Sequence, residues 1–408
     1  MRKRSIAALS ALLFSGTTFP AAFQLYELGT PIVGTADVGQ AAVASDASTA
    51  YFNPAGMIEL PTSEFMLGTQ TILPYTKFDI NNQNTIRGNN GGEAGVLTPG
   101  MALYYVYSYS PKLKLGVSFV SPYGGLLNYA DGWVGRYMVQ DTQFYTLNLN
   151  PSVAYKVNKW LGIGGGFSVE YANLYQTVAL PTSFIDPVIG GVLDGQANIK
   201  ATNTHTGFNL GVIITPYPKT KIGIAYRSQI VHNFKGTTTF LRILTTPATT
   251  TQMTMPQNVI VSIDQKITNK LNLLGEFGWS NWSAMKKSTV TIDSLTATTV
   301  LDWTDTYRGG LGIQYQLKPN WKLQAGASYD SSPTNADKRT PDLPMDRQIR
   351  AGAGFIYTMK DIIQIAASYE YINFGDADIH NVSSNGVLSG SYSKNWANVL
   401  QVSVNAMV

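Results

Sequence analysis

The sequence predicts an all-β protein: a fourteen-stranded antiparallel transmembrane β-barrel plugged by a small N-terminal hatch. Three observations lead to this fold. Apolar residues alternate with polar or small ones at a period of two, charged residues make up only 13% of the chain, and short and long connections alternate between the strands. A two-residue period indicates strands, and low charge is expected where half of the strand residues face lipid.

The first residues predict export from the cytoplasm. Basic residues at positions 2–4 precede a short apolar run that ends near Phe14, and small residues follow it. This pattern is typical of a secretory signal peptide, which we assign to residues 1–22. The apolar run is too short for a transmembrane helix, which needs about 20 residues, and this disfavours a membrane anchor.

Composition excludes several classes of function. The chain has 29 basic and 25 acidic residues, and three of the basic ones lie in the leader, so the mature chain has a net charge of only +1. Nucleic acid is therefore not an expected partner. The absence of cysteine excludes a disulfide framework, and the three histidines lie in different segments, so no metal site, cofactor or enzyme activity is predicted.

Alternating segments define the barrel, which we assign to residues 62–408. In residues 112–119, for example, every second residue is apolar and its neighbours are charged or small. An even number of such segments allows a closed antiparallel barrel in which every edge in lipid is paired. The fourteen predicted strands are 64–79, 98–110, 112–121, 142–157, 160–176, 203–216, 218–232, 254–267, 269–282, 304–317, 320–331, 346–359, 361–374 and 393–407.

The connections predict which end of the barrel faces the periplasm. Tight turns such as Ser110-Pro111 and Asn269-Lys270 indicate the periplasmic end, and long connections indicate the outer end. A soluble β-sandwich would also alternate, but it gives no reason for a strict alternation of short and long connections. The predicted outer loops are 80–97, 122–141, 177–202, 233–253, 283–303, 332–345 and 375–392.

Residues 23–61 precede the first strand and show no two-residue period. They are too few for an independent domain. They include large apolar residues such as Tyr51, Phe52 and Ile58, which argue against the alternative of a solvated periplasmic tail. We therefore predict a hatch in the barrel lumen, where polar walls can satisfy an irregular backbone.

Short blocks along the chain carry a family resemblance. They include Phe23-Gln24-Leu25, Asn53-Pro54-Ala55-Gly56 and Trp279-Ser280-Asn281-Trp282, and they span nearly the whole mature chain. In this order they resemble the FadL-type long-chain fatty-acid transporters, a family with relatives that carry aromatic hydrocarbons. The resemblance implies a fourteen-stranded barrel, in agreement with the independent strand count. The remaining blocks are 47–52, 132–137, 148–155, 226–228, 307–308, 329–333 and 343–347.

The resemblance also implies a mechanism of passive uptake. An apolar groove of the outer loops captures the substrate, which moves to a pocket in the barrel and leaves sideways beside an interrupted third strand when the hatch shifts. Ser121-Pro122 ends the third predicted strand with a residue that cannot donate to the ladder. By the resemblance, Asn53 faces that break. The residues assigned to the hatch and gate are Phe23, Asn53, Pro54, Ala55, Ser121 and Pro122.

The outer loops 122–141 and 177–202 carry many apolar side chains. Such side chains are costly in water unless they pack together or bind an apolar molecule. We expect a capture groove, and the alternative is that the loops only pack on one another. The candidate groove residues are Leu126, Leu127, Trp133, Phe184, Ile185 and Ile189.

Charged residues near the ends of the late strands are candidates for the lumen. Their arginines either bind a substrate carboxylate or pair with Asp305, Asp342 or Asp346. Residues 171–176 of the fifth strand contain no lysine or arginine, which keeps uncharged aromatic hydrocarbons open as the alternative substrate class. The candidate lumen residues are Arg308, Asp330, Arg339, Asp346 and Arg347.

The sequence thus predicts a protein of the outer membrane of a Gram-negative bacterium that takes up long-chain fatty acids or other hydrophobic small molecules. A surface adhesin or phage receptor and an open general porin are the alternatives from other classes. The expected partners are the substrate, outer-membrane lipid and lipopolysaccharide, and the machinery that assembles outer-membrane barrels. A plugged barrel made of one chain is expected to be a monomer.

Overall fold

A computed structural model describes residues 24–181, 194–240 and 247–408. The predicted signal peptide and Phe23 lie outside these ranges. The twenty strands belong to one sheet, which closes on itself through antiparallel pairing of the first strand with the last. They are β1 (Glu64–Ile80), β2 (Thr98–Tyr107), β3 (Leu113–Val120), β4 (Gly124–Asn128), β5 (Asp141–Lys156), β6 (Leu161–Leu180), β7 (Gly195–Tyr217), β8 (Thr220–Arg227), β9 (Ile230–Phe240), β10 (Ala248–Met255), β11 (Asn258–Lys266), β12 (Leu271–Ser280), β13 (Lys287–Ile292), β14 (Leu295–Val300), β15 (Thr306–Lys318), β16 (Trp321–Asp330), β17 (Gln348–Met359), β18 (Ile363–Asn373), β19 (Ile379–Ser383) and β20 (Gly386–Met407).

The wall is a closed barrel of 14 antiparallel strands, and the predicted fold is confirmed. Three of the wall strands are interrupted: β3 with β4, β8 with β9, and β10 with β11 each make one crossing. The β13–β14 hairpin and β19 belong to the long connections at the outer end.

Some predicted outer loops contain parts of the wall: β4 lies within 122–141, and most of 233–253 is strand. Residues 233–253 are mostly strand, because β9 pairs with β10 from Ile230↔Met255 to Thr237↔Ala248. Above the membrane the outward residues of these strands are polar, as Asn233 and Lys235 show. The sequence therefore lacks the alternating apolar residues that mark lipid-facing strands, although the hydrogen-bonded ladder continues.

The outward face of the barrel carries an apolar band. Phe65 and Leu67 of β1 and Val402 of β20 are exposed on this face. The rings of Tyr75 and Trp396 stack at its upper edge, with centroids 5.3 Å apart. At about 3.3 Å per residue and a tilt of about 40°, the rise from Phe65 to Tyr75 is about 25 Å, which matches the apolar height of such barrels.

Helical structure is confined to short turns. The one α-helix of the described chain is α1 (Thr49–Phe52), and 3-10 turns occur at Pro31–Thr35, Pro54–Glu59 and Trp282–Ala284. Within the described ranges, no helix combines the length and apolar character needed to cross a membrane.

The described part of the hatch, residues 24–61, crosses the lumen. The Gly29 amide donates to Gln70 Oε1 of β1 (2.6 Å), and the Gly39 amide donates to Glu276 Oε2 of β12 (2.9 Å). These partners lie on well-separated strands of a closed barrel, so the segment between them must pass through its interior.

Two wall glycines allow close contact with the hatch backbone. A Cβ atom at Gly223 of β8 would lie 1.8 Å from the Ala41 carbonyl oxygen, and one at Gly326 of β16 would lie 2.1 Å from the Thr35 carbonyl oxygen. Both distances are far shorter than a van der Waals contact. The hatch is therefore seated directly on the backbone of the wall.

Candidate functional site

The third wall strand is interrupted between β3 and β4. β3 ends at Val120 and β4 begins at Gly124. On this side, β2 pairs with β3 only from Leu103 to Tyr107, whereas β4 pairs with β5. Among the described residues, the stretch 98–102 of β2 therefore has no ladder partner toward the third strand, and the wall has a gap there.

A cavity of about 440 Å³ fills this gap. Its size is within the range of about 300–1,000 Å³ that is typical of small-molecule sites. Met101 of β2, which is 57% exposed, marks its membrane side. Leu25 and Leu28 of the hatch mark its inner side. The other lining residues include Thr98, Pro99, Gly100, Ala102, Phe119, Ser121, Gly124, Gly125, Leu126, Phe144 and Tyr145.

A second cavity, of about 100 Å³, lies in the lumen beside the first. Its apolar lining includes Ile72, Met345 and Phe374. The two cavities share five lining residues, so they adjoin one another. An apolar path thus leads from the lumen to the membrane face of the barrel. The shared residues are Leu25, Thr98, Gly124, Gly125 and Leu126.

The first described residues of the hatch hold the break. The Leu25 amide donates to the Pro122 carbonyl oxygen (2.9 Å), and Gln24 forms an antiparallel bridge with Tyr123. Tyr123 is buried and packs edge-on against Trp282, with ring centroids 6.4 Å apart. The hatch backbone thus supplies a hydrogen-bond partner to the interrupted strand.

Asn53 does not face the break, and our expectation on this point is wrong. Its side-chain Nδ2 donates to the carbonyl oxygens of Ala41 (2.7 Å) and Val212 of β7 (3.1 Å). Its Oδ1 accepts from the Ala55 amide (3.2 Å) at the start of the Pro54–Glu59 turn. Asn53 therefore caps a turn of the hatch and fixes it to β7, a strand that the sequence did not connect with it.

The groove prediction is wrong for two of the described residues. Trp133 is fully buried and Leu127 is 6% exposed. The Trp133 ring stacks on Tyr129 at 3.9 Å, and its Nε1 donates to the Val139 carbonyl oxygen (2.8 Å). These side chains form a core between outer loops, although Leu127 also lines the lumen cavity and Leu126 lines both cavities. Phe184, Ile185 and Ile189 lie outside the described residues.

Two of the predicted lumen residues anchor the hatch. Arg308 Nη1 contacts Glu276 Oε1 (2.6 Å), and its Nη2 donates to the Ala36 carbonyl oxygen (2.8 Å). Asp330 Oδ2 accepts a hydrogen bond from the Tyr26 hydroxyl (2.9 Å). Arg308 therefore pairs with a glutamate, and not with an aspartate as considered from the sequence.

Arg350 is the centre of this cluster, and sequence reasoning missed it. Its Nη1 lies 2.6 Å from Glu27 Oε1, 3.1 Å from Asp37 Oδ2 and 3.4 Å from Glu370 Oε1. All four side chains are buried. Burial and the neighbouring Glu27 raise the pKa of Asp37 to about 7. A signal was present, because Arg350 stands at an inward position of an alternating strand.

The remaining candidates lie at the outer rim. Arg339 Nη2 contacts Asp346 Oδ1 (2.9 Å) in the connection between β16 and β17, whose Pro344 and Met345 cover the lumen cavity. Arg347 Nη1 donates to Asn373 Oδ1 (2.9 Å) at the outer end of β18. Arg347 alternates with the buried Gln348 and faces outward, so its placement in the lumen is wrong.

Arg227 is a further lumen cation that the sequence did not single out. Its guanidinium lies 3.8 Å above the Tyr51 ring, and its Nη2 donates to the Tyr51 carbonyl oxygen (2.8 Å). In the described part of the chain, no carboxylate lies within ion-pair distance of it. It lines a cavity of about 30 Å³ together with Leu25 and Pro122, close to the break.

Known proteins share this architecture. Residues 11–407 match the family described as outer membrane protein transport protein (OMPP1/FadL/TodX). The long-chain fatty acid transport protein of Salmonella typhi is 25% identical over 401 residues, which cover 90% of this chain and 91% of that protein.

Solved structures have a similar fold. A FadL homologue of Pseudomonas aeruginosa superposes with a TM-score of 0.86 at 20% identity, over 94% of this chain and 99% of that chain. The toluene transporter TbuX of Ralstonia pickettii superposes with a TM-score of 0.68 at 16% identity, over 94% and 100%. Members of the matched family are transport channels and not enzymes. This chain belongs to the OMPP1/FadL/TodX family of outer-membrane transport proteins for hydrophobic molecules.

Proposed function

We propose that the protein takes up long-chain fatty acids by passive diffusion and releases them sideways into the membrane. The observation that carries this proposal is the gap beside β3, where the 440 Å³ cavity joins the lumen cavity to the membrane face. In this proposal the substrate passes Leu126 and Gly124 and leaves past Met101. The hatch then serves as the gate.

Sideways release suits a long apolar chain on energetic grounds. Moving one methylene group from an apolar site into water costs about 0.8 kcal/mol. A straight exit through the hatch would expose the whole chain to the periplasm, whereas exit through the gap keeps it in apolar surroundings. The apolar lining of both cavities supports this route.

The charge of the lumen supports a carboxylic acid as the substrate. Arg308 and Arg350 are already paired with buried glutamates, but Arg227 has no carboxylate partner in the described structure. A guanidinium binds a carboxylate with two parallel hydrogen bonds. We assign Arg227 as the residue that holds the carboxylate next to the break. The name of the Salmonella typhi relative agrees with this substrate class.

Aromatic hydrocarbons are the second candidate substrates. The lumen cavity measures only about 100 Å³, which favours a compact molecule over an extended chain. A neutral hydrocarbon would make no use of the Arg227 guanidinium. The two candidates therefore differ in whether this side chain matters.

Uptake by whole cells tests the choice. Cells that lack their own fatty-acid transporter would express the protein and be given labelled oleate or labelled toluene. We expect oleate uptake well above that of cells without the protein, and a loss of about tenfold or more in Arg227→Gln, since hydrogen bonds to charged groups contribute about 1.5–3 kcal/mol. Lys235→Gln, which removes an exposed charge from β9, is the matched control.

The outcomes separate the candidates. Toluene uptake that is equal in the wild type and Arg227→Gln, with no uptake of oleate, would establish the aromatic alternative. Uptake of neither compound would refute the proposed function.

A further inference from the structure

Two lysines face each other on the outer surface of the barrel seam. Lys77 of β1 and Lys394 of β20 are direct partners in the ladder. Both side chains point away from the lumen, because they alternate with the buried residues Thr76 and Asn395. Like charges directly opposite each other on neighbouring strands destabilise a sheet. The pair therefore needs a compensating anion.

Within its described part, the protein places no carboxylate in ion-pair contact with these lysines. No carboxylate lies within 4.0 Å of either lysine there. Two acids are near: Asp79 is two residues from Lys77 on β1, and Glu93 forms an antiparallel bridge with Lys77, but neither carboxylate is within ion-pair distance. The Asp79 carboxylate accepts a hydrogen bond from Ser393, and Glu93 Oε1 accepts the amides of Thr76 (3.1 Å) and Gly95 (2.7 Å).

A third cation lies at the same level. Arg347 precedes β17, and its Nη1 donates to Asn373 Oδ1 (2.9 Å). Asn373 is the ladder partner of Trp396. Ile349 pairs with Asn373, so Arg347 is two residues above the level of Trp396, as Lys394 is on β20. Arg347 also lacks an ion-pair partner among the described residues.

The height of this cluster identifies the layer that it meets. The stacked rings of Tyr75 and Trp396 mark the upper edge of the apolar band. On each strand the lysine lies two residues from the aromatic residue toward the outer end of the barrel, which is about 5 Å higher at the usual rise and tilt. Aromatic residues sit at the membrane interface, and basic residues just beyond them meet lipid headgroups.

We propose that Lys77, Lys394 and Arg347 form a binding site for a phosphate group of lipid A, the glycolipid of the outer leaflet. Lipid A is chosen over the phospholipids of the inner leaflet because the long connections place this cluster on the cell-surface side of the membrane. The lysines provide two point charges, and the guanidinium provides directed hydrogen bonds to phosphate oxygens. The Tyr75–Trp396 stack lies below them, where the first part of the acyl chains would pack. The site is independent of the transported substrate.

Native mass spectrometry of the purified protein in mild detergent tests the proposal with purified lipid A as the probe. We expect one lipid A molecule per barrel, and about tenfold weaker binding in the triple variant K77Q/K394Q/R347Q. The matched control K112Q/K266Q/K270Q removes three exposed lysines from the opposite end and should bind as the wild type does. A difference in gel mobility between unboiled and boiled samples would show that each variant is a folded barrel.

Three results would overturn the site. Unchanged lipid A binding by the triple variant would show that these cations are not involved. Equal binding of dephosphorylated lipid A by the wild type would remove the phosphate from the assignment. Equal binding of phosphatidylglycerol would contradict the choice of lipid A and indicate a general anionic-lipid surface.

Discussion

The wall of this barrel is interrupted in two different ways. Between β3 and β4 the break leaves residues 98–102 of β2 without a ladder partner on that side, and a cavity opens to the membrane. The breaks between β8 and β9 and between β10 and β11 occur at one level, since Arg227 pairs with Asn258 and Ile230 pairs with Met255. There the neighbouring strands are interrupted together.

Hydrogen bonds of side chains and backbone close the breaks between β8 and β9 and between β10 and β11. The Ser228 amide donates to the Phe208 carbonyl oxygen (2.9 Å), and the Phe208 amide donates to Ser228 Oγ (2.9 Å). The Tyr226 hydroxyl donates to Gln257 Oε1 (3.0 Å) across the two interruptions. An interrupted strand is therefore not in itself an opening. The wall opens only where the edge of the neighbouring strand has no replacement hydrogen-bond partner, as at residues 98–102 of β2.

The hatch shows a matching asymmetry. On one side of the lumen, Arg350 of β17 forms ion pairs with Glu27 and Asp37 of the hatch. Arg308 of β15 and Glu276 of β12 add hydrogen bonds to the hatch backbone. At the break the hatch is held by the backbone of Gln24 and Leu25. The ion pairs begin at Glu27, two residues after Leu25, and line the lumen cavity next to the gap. Only the first described residues of the hatch are held at the break by backbone contacts alone. This arrangement favours movement of the hatch at the break first.

Filling the open break should give the largest effect. Gly124 lines both cavities, and a Cβ added there would be in ordinary contact with Leu25, 3.6 Å away, so the side chain of Gly124→Phe should enter the space between the cavities. We expect oleate uptake to fall more than about tenfold, because near-complete blockage of the route leaves no apolar path. Uptake of labelled oleate per folded barrel measures this.

The control for this prediction lies at the sealed break. Gln229→Phe adds the same ring at an exposed position between β8 and β9, and uptake should not change. Normal uptake by Gly124→Phe, in a barrel that is present at the cell surface in normal amounts, would contradict release through the gap.

Loosening the hatch at the break should give an intermediate effect of opposite sign. Leu25→Pro removes the amide that donates to the Pro122 carbonyl oxygen. One such hydrogen bond contributes about 0.5–1.5 kcal/mol, so the open state should become about two- to tenfold more populated. Current in planar bilayers measures the change. Leu25→Ala keeps the amide and is the control; equal currents in both variants would show that this bond does not restrain the hatch.

The smallest expected effect is a pH dependence of the ion pairs between Arg350 and the hatch. Burial and Glu27 raise the pKa of Asp37 to about 7, well above the ordinary aspartate value of about 4. The folded state therefore binds this proton more tightly than the unfolded state. Its contribution is fully present below about pH 4 and is lost as the pH rises through about 7.

The midpoint of thermal unfolding should accordingly fall between pH 5 and pH 8, and less so in Asp37→Asn. The temperature at which the unboiled gel band converts to the boiled one measures this midpoint. Equal slopes in both proteins would exclude Asp37 as the source. The current of Leu25→Pro should not follow this pH dependence, since the bond that it removes joins two backbone groups that do not titrate.

The strands were predictable from sequence because lipid selects for apolar residues at every second position. That selection ends above the membrane, which is why β9 and β10 were mistaken for a loop. The interruption at Ser121-Pro122 was also visible, since proline cannot donate to a ladder.

Contacts between distant parts of the chain were not predictable. Glu27 and Arg350 are 323 positions apart, and no local pattern joins them. The burial of Trp133 and the turn capped by Asn53 likewise depend on partners in three dimensions. The alternation shows that two residues share a face, but at the end of a strand it does not show which face. Arg347 was assigned to the lumen for this reason.

The glycines under the hatch restrict how this protein can be rebuilt from parts of its relatives. At Gly223 and Gly326 the wall has no room for even a methyl group beneath Ala41 and Thr35. A hatch whose backbone ran one ångström closer to the wall would clash, and one that ran farther away would leave voids along the seat. The hatch and the wall thus fit each other only as a matched pair. A chimera that joins this barrel to another protein's hatch should fail to seat that hatch unless the facing glycines of the wall are exchanged as well.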